Sequence, residues 1–258
     1  MRAPDNILIT GASSGIGAAL AREYAAPGRF LALTGRDTGR LESVAADCRA
    51  GGAQVETGAL DVTDAAAMER WLLALDLRRP LDLVIANAGI SAGAGRGTET
   101  PDQARAVIAT NVDGMLNTLL PLIPPLCERG RGQIAVVSSL AGFVGLPGAA
   151  AYCASKAANR VYGEALRPML RPYGVGVSVI CPGFVKSRIT ADNPFPMPFL
   201  MEAPAAARAI RRGLSRDRAR IAFPWPLVAG TWLLRTLPAG LVDRLMDRTP
   251  RKRAGQGG

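Results

Sequence analysis

The chain has 258 residues, 48% of them hydrophobic and 20% charged, with a formal net charge of +10 and no histidine. That composition is globular rather than disordered, and the missing imidazole excludes every Ser-His-Asp or Cys-His catalytic arrangement and every histidine-based metal site. Four cysteines, Cys48, Cys127, Cys153 and Cys181, are scattered without a CxxC pair, so no disulfide framework and no metal site are expected, and a reducing, cytoplasmic location is.

Met1 is followed within a few residues by a hydrophobic strand, and no secretory signal is expected ahead of it. From there short apolar runs alternate with longer helical stretches. Asn6–Thr10, Phe30–Thr34, Gln54–Thr57, Leu81–Ala86, Gln133–Ser138, Val175–Ile180 and Arg220–Phe223 read as strands, several of them continuous apolar runs suited to parallel strands covered on both faces. Gly15–Ala26, Thr38–Ala50, Ala65–Leu75, Pro101–Cys127 and Ala151–Arg171 read as helices, with Pro168 expected to bend the end of the last. The alternation predicts a Rossmann-like α/β fold, a doubly wound sheet of about seven parallel strands with helices on both faces, in three layers α/β/α. No composition break divides residues 1–258, which are expected to form a single domain. The uncharged stretch Gly132–Ser155 contains Ser138, Ser139, Gly142, Gly145, Pro147 and Gly148, and reads as a strand and loop rather than a membrane span.

The first strand runs into Thr10-Gly11-Ala12-Ser13-Ser14-Gly15-Ile16-Gly17. A glycine-rich turn at the first βα junction is where a dinucleotide pyrophosphate sits, because backbone must approach the phosphates and the helix start offers free N–H groups. The spacing is GxxxGxG and departs from GxGxxG. Gly11–Gly15 also satisfies the GxSxG elbow of hydrolases, a reading excluded because no imidazole exists to activate the serine. The second strand ends Leu33-Thr34-Gly35-Arg36-Asp37, where a Rossmann domain reads the adenosine ribose. Arg36 suits a 2′-phosphate, which favours NADP(H) over NAD(H); Asp37 is expected to point outward or to cap the next helix.

In order along the chain, Thr10-Gly11-(x)3-Gly15-Ile16-Gly17, Asp61-Val62, Asn87-Ala88-Gly89, Asn111, Ser138-Ser139, Tyr152-(x)3-Lys156 and Pro182-Gly183 resemble the short-chain dehydrogenase/reductase family, in its compact single-domain branch, over roughly residues 6 to 190. The resemblance implies a pyrophosphate site at Gly11, Ser13, Ser14, Gly15, Ile16 and Gly17. It implies adenine contact at Asp61, with Val62 beside it, and ribose contact at Asn87, Ala88 and Gly89. Pro182, Gly183, Phe184 and Val185 would line the nicotinamide, and Ser187 stands where the family usually has Thr, keeping a hydroxyl for the carboxamide.

Hydride transfer to a carbonyl leaves charge on oxygen and needs a proton donor. Tyr152 is the natural acid, although a phenol has a pKa of about 10. Lys156, at i+4, shares its helix face, and an ammonium there is expected to lower that pKa. The resemblance adds that Lys156 holds the nicotinamide ribose. It also makes Ser139, thirteen residues before Tyr152, the substrate-binding serine in preference to Ser138. Asn111 is a poor mid-helix residue; the resemblance makes it a local kink whose water links Lys156 to solvent.

Residues 187–205 include the apolar, proline-rich run Pro194-Phe195-Pro196-Met197-Pro198-Phe199-Leu200, read as a lid over a hydrophobic substrate or as a packed surface loop. Residues 221–258 form an apolar and basic extension with Trp225, Trp232, Leu233, Leu234, Leu237, Leu241, Leu245 and Met246 among Arg235, Arg244, Arg248 and Arg251-Lys252-Arg253. Such a segment suits peripheral contact with the inner face of a membrane, or packing on its own domain or a partner subunit. The arginine excess fits an anionic cofactor, a membrane surface or a solvated basic surface; without a groove-reading module, no nucleic acid partner is expected. The leading reading is an NADP(H)-dependent oxidoreductase acting on a hydrophobic, lipid-like carbonyl or alcohol. An epimerase or dehydratase with tightly held NAD, or a non-catalytic NADP-binding module, are the alternatives. By family analogy the long helices would pair into a homodimer or homotetramer.

Overall fold

Ile7, Leu8 and Ile9 are all fully buried in the first strand, although consecutive strand residues point to opposite faces of a sheet. Both faces are therefore covered. The computed structural model describes residues 4–93, 97–191, 193, 196–246 and 255–257. Its strands are β1 (Asn6–Thr10), β2 (Phe30–Gly35), β3 (Gln54–Ala59), β4 (Leu83–Ala86), β5 (Gly132–Val137), β6 (Val175–Pro182) and β7 (Arg220–Phe223). They form one seven-stranded sheet in the order β3-β2-β1-β4-β5-β6-β7, every pair parallel. Ile7 sits opposite both Leu31 and Leu83, which fixes the central register.

On one face, α1 (Gly15–Tyr24), α2 (Thr38–Ala50) and α9 (Ala203–Ser215) set Leu20, Leu41, Val44, Ile210 and Leu214 against Ile9, Leu33, Ile85 and Ile180. On the other, α3 (Ala65–Arg78), α5 (Gly114–Leu119), α6 (Ile123–Glu128) and α7 (Ala150–Leu170) set Met68, Leu72, Leu119, Leu126 and Leu166 against Leu8, Ala32, Val84 and Val136. Each such fully buried leucine contributes about 1.5–3 kcal/mol. The remaining helices are α4 (Pro101–Ile108), α8 (Arg188–Ala191), α10 (Trp225–Thr236) and α11 (Ala239–Met246); Ser91–Gly93 and Gly255–Gly257 make a short antiparallel ribbon.

The caps are local. Asp37 and Asp64 accept from Arg40 N and Ala67 N to start α2 and α3, and Thr100 with Gln103 closes a capping box at α4. Two expectations shift. The fourth strand begins at Leu83 because Leu81 N donates to Asp76 Oδ1 at 2.9 Å and is lost to the ladder. The long helix expected over Pro101–Cys127 is segmented by a π-helical turn at Ala109–Asp113 and a turn before α6. Among the described residues, only Pro101–Glu128 is long and apolar enough to cross a membrane by length and composition; its inner side packs in the core through Val107, Met115, Leu119 and Leu126. Gly132–Ser155 is β5, a loop and the first turns of α7. The chain order reverses between β1 and β4, which opens a crevice at their carboxyl ends, the ligand position in open α/β sheets.

Candidate active site

Thr10 ends β1 and joins it to β4: its Oγ1 accepts from Asn87 N at 3.1 Å and Ala88 N at 3.2 Å. Asn87 Nδ2 returns the tie, donating to the carbonyls of Thr10 at 2.9 Å and Gly11 at 3.2 Å. The turn that follows needs glycine. Gly11 has φ +66° and a Cβ there would lie 2.7 Å from Ala88 Cα; at Gly17 a Cβ would lie 2.3 Å from the Gly11 carbonyl oxygen. Gly17 thus lies behind the turn and lets it close, while Gly11, Ser13, Ser14, Gly15 and Ile16 line the cleft. Ser14 precedes α1 without a side-chain cap and no acid stands in the helix's first turn, so its N–H groups face the cleft uncompensated.

At the β2 end, Asp37 is occupied. Oδ1 accepts from Arg40 N at 2.8 Å, capping α2, and Oδ2 lies 2.7 Å from Arg40 Nη1. The capping direction expected for Asp37 is met, although the residue also lines the cleft. Arg36 is half-exposed, with Nη1 3.9 Å from Asp61 Oδ2. Asp61 Oδ1 accepts from Thr63 N and Oγ1 at 2.9 and 2.8 Å, so its carboxylate is held by its own turn beside Val62. Arg40 is a second cleft arginine that motif matching missed. Its signal was a second basic residue one turn beyond Arg36.

At the other end, α7 presents Tyr152 and Lys156 one turn apart, and β5 ends at Ser138 and Ser139. Ser138 Oγ is committed to the Lys156 carbonyl at 2.7 Å. Ser139 lines the cleft beside Tyr152; its Oγ accepts from Ala141 N at 3.1 Å and donates to the Pro182 carbonyl at 3.4 Å. Lys156 Nζ donates to the Val137 carbonyl at 3.1 Å and lies 5.8 Å from the Tyr152 ring centroid.

This geometry corrects the expected acidity of Tyr152. Burial pushes its hydroxyl up to about 12; the nearby Ser139 hydroxyl opposes this only in part, and Cys153 adds a smaller rise. The ammonium sits beside the ring and bonds a carbonyl, so it does not offset the loss of solvent. Burial also brings Lys156 down to about 8, with Cys181 opposing weakly.

Asn111 is fully buried and does not line the cleft. It occupies the π-helical turn, the kink expected there. Its Oδ1 accepts from Ile90 N at 2.8 Å, while Nδ2 donates to the Ile90 carbonyl at 3.0 Å and Ser155 Oγ at 2.9 Å. Because Ser155 Oγ in turn donates to the Tyr152 carbonyl at 2.8 Å, Asn111 clamps the loop after Asn87-Ala88-Gly89 to the helix that carries Tyr152. A Cβ on Gly89 would stand 3.0 Å from Asn111 Oδ1 and 3.3 Å from Lys156 Nζ.

Glu99 gave no sequence signal. Helix α7 has Ala149 at its N-cap with no capping side chain of its own. Glu99, from the loop before α4, supplies one: Oε2 accepts from Ala151 N at 2.8 Å, and Oε1 is buried with no hydrogen-bond partner among the described residues. Glu99→Ala removes a carboxylate cap next to Tyr152 and is expected to cost about 1–2 kcal/mol, read as a lowered denaturation midpoint.

Pro182, Gly183, Val185 and Ser187 line the same cleft after β6. Gly183 N donates to the Phe223 carbonyl at 2.7 Å. The segment beyond is pinned at its base, since Lys186 N donates to the Met201 carbonyl at 2.9 Å and Met201 N to the Phe184 carbonyl at 3.0 Å. Ile189 and Thr190 enter the cleft wall, whereas Phe199 and Leu200 are exposed; Pro194 and Phe195 lie outside the described residues. The cleft encloses about 540 Å³ between Arg36 at one end and Tyr152 at the other, and holds every residue expected at the site except Gly17, Asn111 and Phe184.

Seven parallel strands in this order, with the cleft at the point where the order reverses, make the chain a Rossmann-like α/β protein. Residues 5–194 match the family described as short chain dehydrogenase, and the chain belongs to that family, whose members are oxidoreductases. An "Uncharacterized oxidoreductase" of Myxococcus xanthus is 44% identical over 243 residues, covering 93% of this chain and 96% of the relative. A short-chain dehydrogenase from Sphingobium yanoikuyae, solved in complex with NADPH, is 28% identical with a TM-score of 0.79, over 97% of this chain and 98% of that one. A short chain dehydrogenase/reductase from Burkholderia phymatum, solved in complex with NAD, is 25% identical with a TM-score of 0.81, over the same shares of both chains, 97% and 98%. The likeness covers proteins with either nicotinamide cofactor, so the choice between them rests on this chain's own residues.

Proposed function

We propose that the chain is an NADP(H)-dependent oxidoreductase acting on a carbonyl or secondary alcohol of a hydrophobic, lipid-like substrate, with Tyr152 as general acid and base. The observation that carries this reading is the convergence of Ser139, Tyr152 and Lys156 at one end of a cleft whose other end holds Arg36. The residues present fit a dinucleotide: the uncapped start of α1 suits its phosphates, and Gly11 and Gly15, both at positive φ, keep the turn close to the backbone where a side chain would be strained.

In this reading Gly11, Ser13, Ser14, Gly15 and Ile16 cradle the pyrophosphate, with Gly17 supporting the turn. Arg36, with Arg40 beside it, takes the 2′-phosphate, and Asp61 and Val62 border the adenine. Asn87, Ala88, Gly89 and Lys156 hold the ribose of the nicotinamide half, and Pro182, Gly183, Val185 and Ser187 border its ring. A bound nicotinamide supplies or accepts the hydride. The chain's own residues hold the substrate oxygen and move a proton. Ser139 and Tyr152 donate to that oxygen, and Tyr152, protonated at neutral pH because its hydroxyl is pushed up to about 12, delivers the proton as charge develops. Lys156 regains its proton from solvent through a water held at the Asn111 kink.

Lys156 sets a pH limit. Its ammonium, brought down to about 8, is charged below that pH and neutral above it. For ketone reduction, kcat/KM is therefore expected to fall as pH rises through about 8, since this ratio reports groups of the free enzyme. A profile flat from about pH 7 to about pH 10 contradicts that role.

The whole chain, 1–258, works as one domain in this proposal, with 187–205 as the substrate lid and 221–258 as a C-terminal extension. Exposed Ile108 and Leu120 on the α4–α6 stretch and Val161 and Met169 on α7 support pairing into a homodimer or homotetramer. A cytoplasmic location fits the four unpaired thiols among the described residues. The test is NADPH oxidation over ketones of graded chain length, including 3-ketoacyl and steroid compounds. Rates that rise with apolar length support the reading, and no consumption of NADPH with any of them removes it.

A further inference from the structure

Helices α10 and α11 add no side chain to the buried core among the described residues. The inner side of α10 is accounted for: Leu227 and Val228 pack on Leu140, Val179 and Cys181, and Leu227 closes over Gly183 at the end of the cleft. Its outer side is not. Trp225, Ala229, Trp232, Leu233 and Thr236 recur at i, i+4, i+7, i+8 and i+11, one helical face, and all are exposed, Trp225 at 78% and Trp232 at 69%. One turn apart on α11, Leu241 and Leu245 are exposed as well. A side chain at Gly230 or Gly240 would meet nothing within 4 Å.

Arginines flank this apolar strip. Exposed Arg235 and Arg244 belong to α10 and α11, and Arg235 rests on the Phe143 ring at 5.5 Å, beside Arg160 and Arg220 on the same ring. Across residues 221–258 the sequence holds six Lys and Arg (Arg235, Arg244, Arg248, Arg251, Lys252, Arg253) against two acids, Asp243 and Asp247. The last four basic residues lie outside the described residues. The excess decides between occupants. A second copy of this chain would set like charges face to face across a two-fold axis, whereas an anionic bilayer complements them and takes tryptophan and leucine into its headgroup boundary.

We propose that the outer face of α10 and α11, led by Trp225, Trp232 and Leu233 and flanked by Arg235 and Arg244, docks the protein on an anionic lipid bilayer. The inference goes beyond the hydride-transfer reading and does not depend on it. It is tested by flotation of the full chain with vesicles of equal parts phosphatidylglycerol and phosphatidylcholine, compared with phosphatidylcholine alone. The full chain is expected to float with the anionic vesicles and to bind at least about ten-fold less to the neutral ones or in concentrated salt. The double variant Trp225→Ser, Trp232→Ser is expected to lose at least about ten-fold in binding with an unchanged thermal melt, and Arg244→Glu about five-fold. Failure of the full chain to float with anionic vesicles overturns the proposal. So does binding that the substitutions leave unchanged, or a double variant whose sedimentation shows a smaller assembly, which would make the strip a subunit interface.

Discussion

Tyr152→Phe is expected to abolish turnover while leaving NADPH binding nearly intact. The substitution removes one hydroxyl from a ring that otherwise packs on Ala92, Val107 and Ala151, so the helix and the cleft wall keep their shape. The loss of one hydroxyl costs at most about 0.5–1.5 kcal/mol of stability. The chemical loss is far larger, because a positioned general acid contributes about 10²–10⁴-fold and no histidine exists to replace it. Steady-state rates and calorimetric titration with NADPH separate the two effects: kcat should fall by about 10³-fold or more, with the dissociation constant changed by less than about three-fold. Full activity in the variant would remove Tyr152 from the mechanism.

Arg36→Asp is expected to weaken NADPH far more than NADH. The guanidinium is half-exposed and only loosely paired, 3.9 Å from Asp61, so it is available to a phosphate. The variant deletes a charge-assisted pair of about 1.5–3 kcal/mol and puts a carboxylate beside a dianion. The NADPH dissociation constant should rise by about 10²-fold or more, Arg40 preventing a complete loss, while that for NADH changes by less than about three-fold. Equal weakening of both cofactors would contradict the assignment of Arg36 to the 2′-phosphate.

Much of this was legible in the sequence because it is written in local patterns. Continuous apolar runs such as Ile7-Leu8-Ile9, short and set between glycine-rich turns and helical stretches, suit strands covered on both faces, and the seven runs give the seven strands of the sheet. The order of motifs from Thr10-Gly11 to Tyr152-(x)3-Lys156 gathers almost all of the cleft, since all but Asn111 sit just after a strand or in the first turns of a helix. What was not legible depends on contacts distant in sequence. Glu99 reaches Ala151, 52 residues on, and nothing near Glu99 announces it. Asp76 takes the Leu81 N–H out of the fourth strand through a turn that apolar periodicity does not register. The Tyr152 acidity was misjudged because an i+4 spacing gives proximity along a helix, while burial and the bond from Lys156 to the Val137 carbonyl decide the electrostatics. Asn111 lies in a π-helical turn, and its clamp on Ile90 and Ser155 is visible only in the fold.

The measurement that bears most directly on the central claim follows the hydride itself. NADPH carrying deuterium in both positions on the reactive carbon of the nicotinamide is supplied to the wild-type chain with an apolar ketone, and the product alcohol is analysed by mass spectrometry. The account predicts one deuterium on the carbinol carbon for each NADPH consumed, with no product from Tyr152→Phe. Turnover that leaves the cofactor bound and unconsumed, or an alcohol without the label, would contradict it.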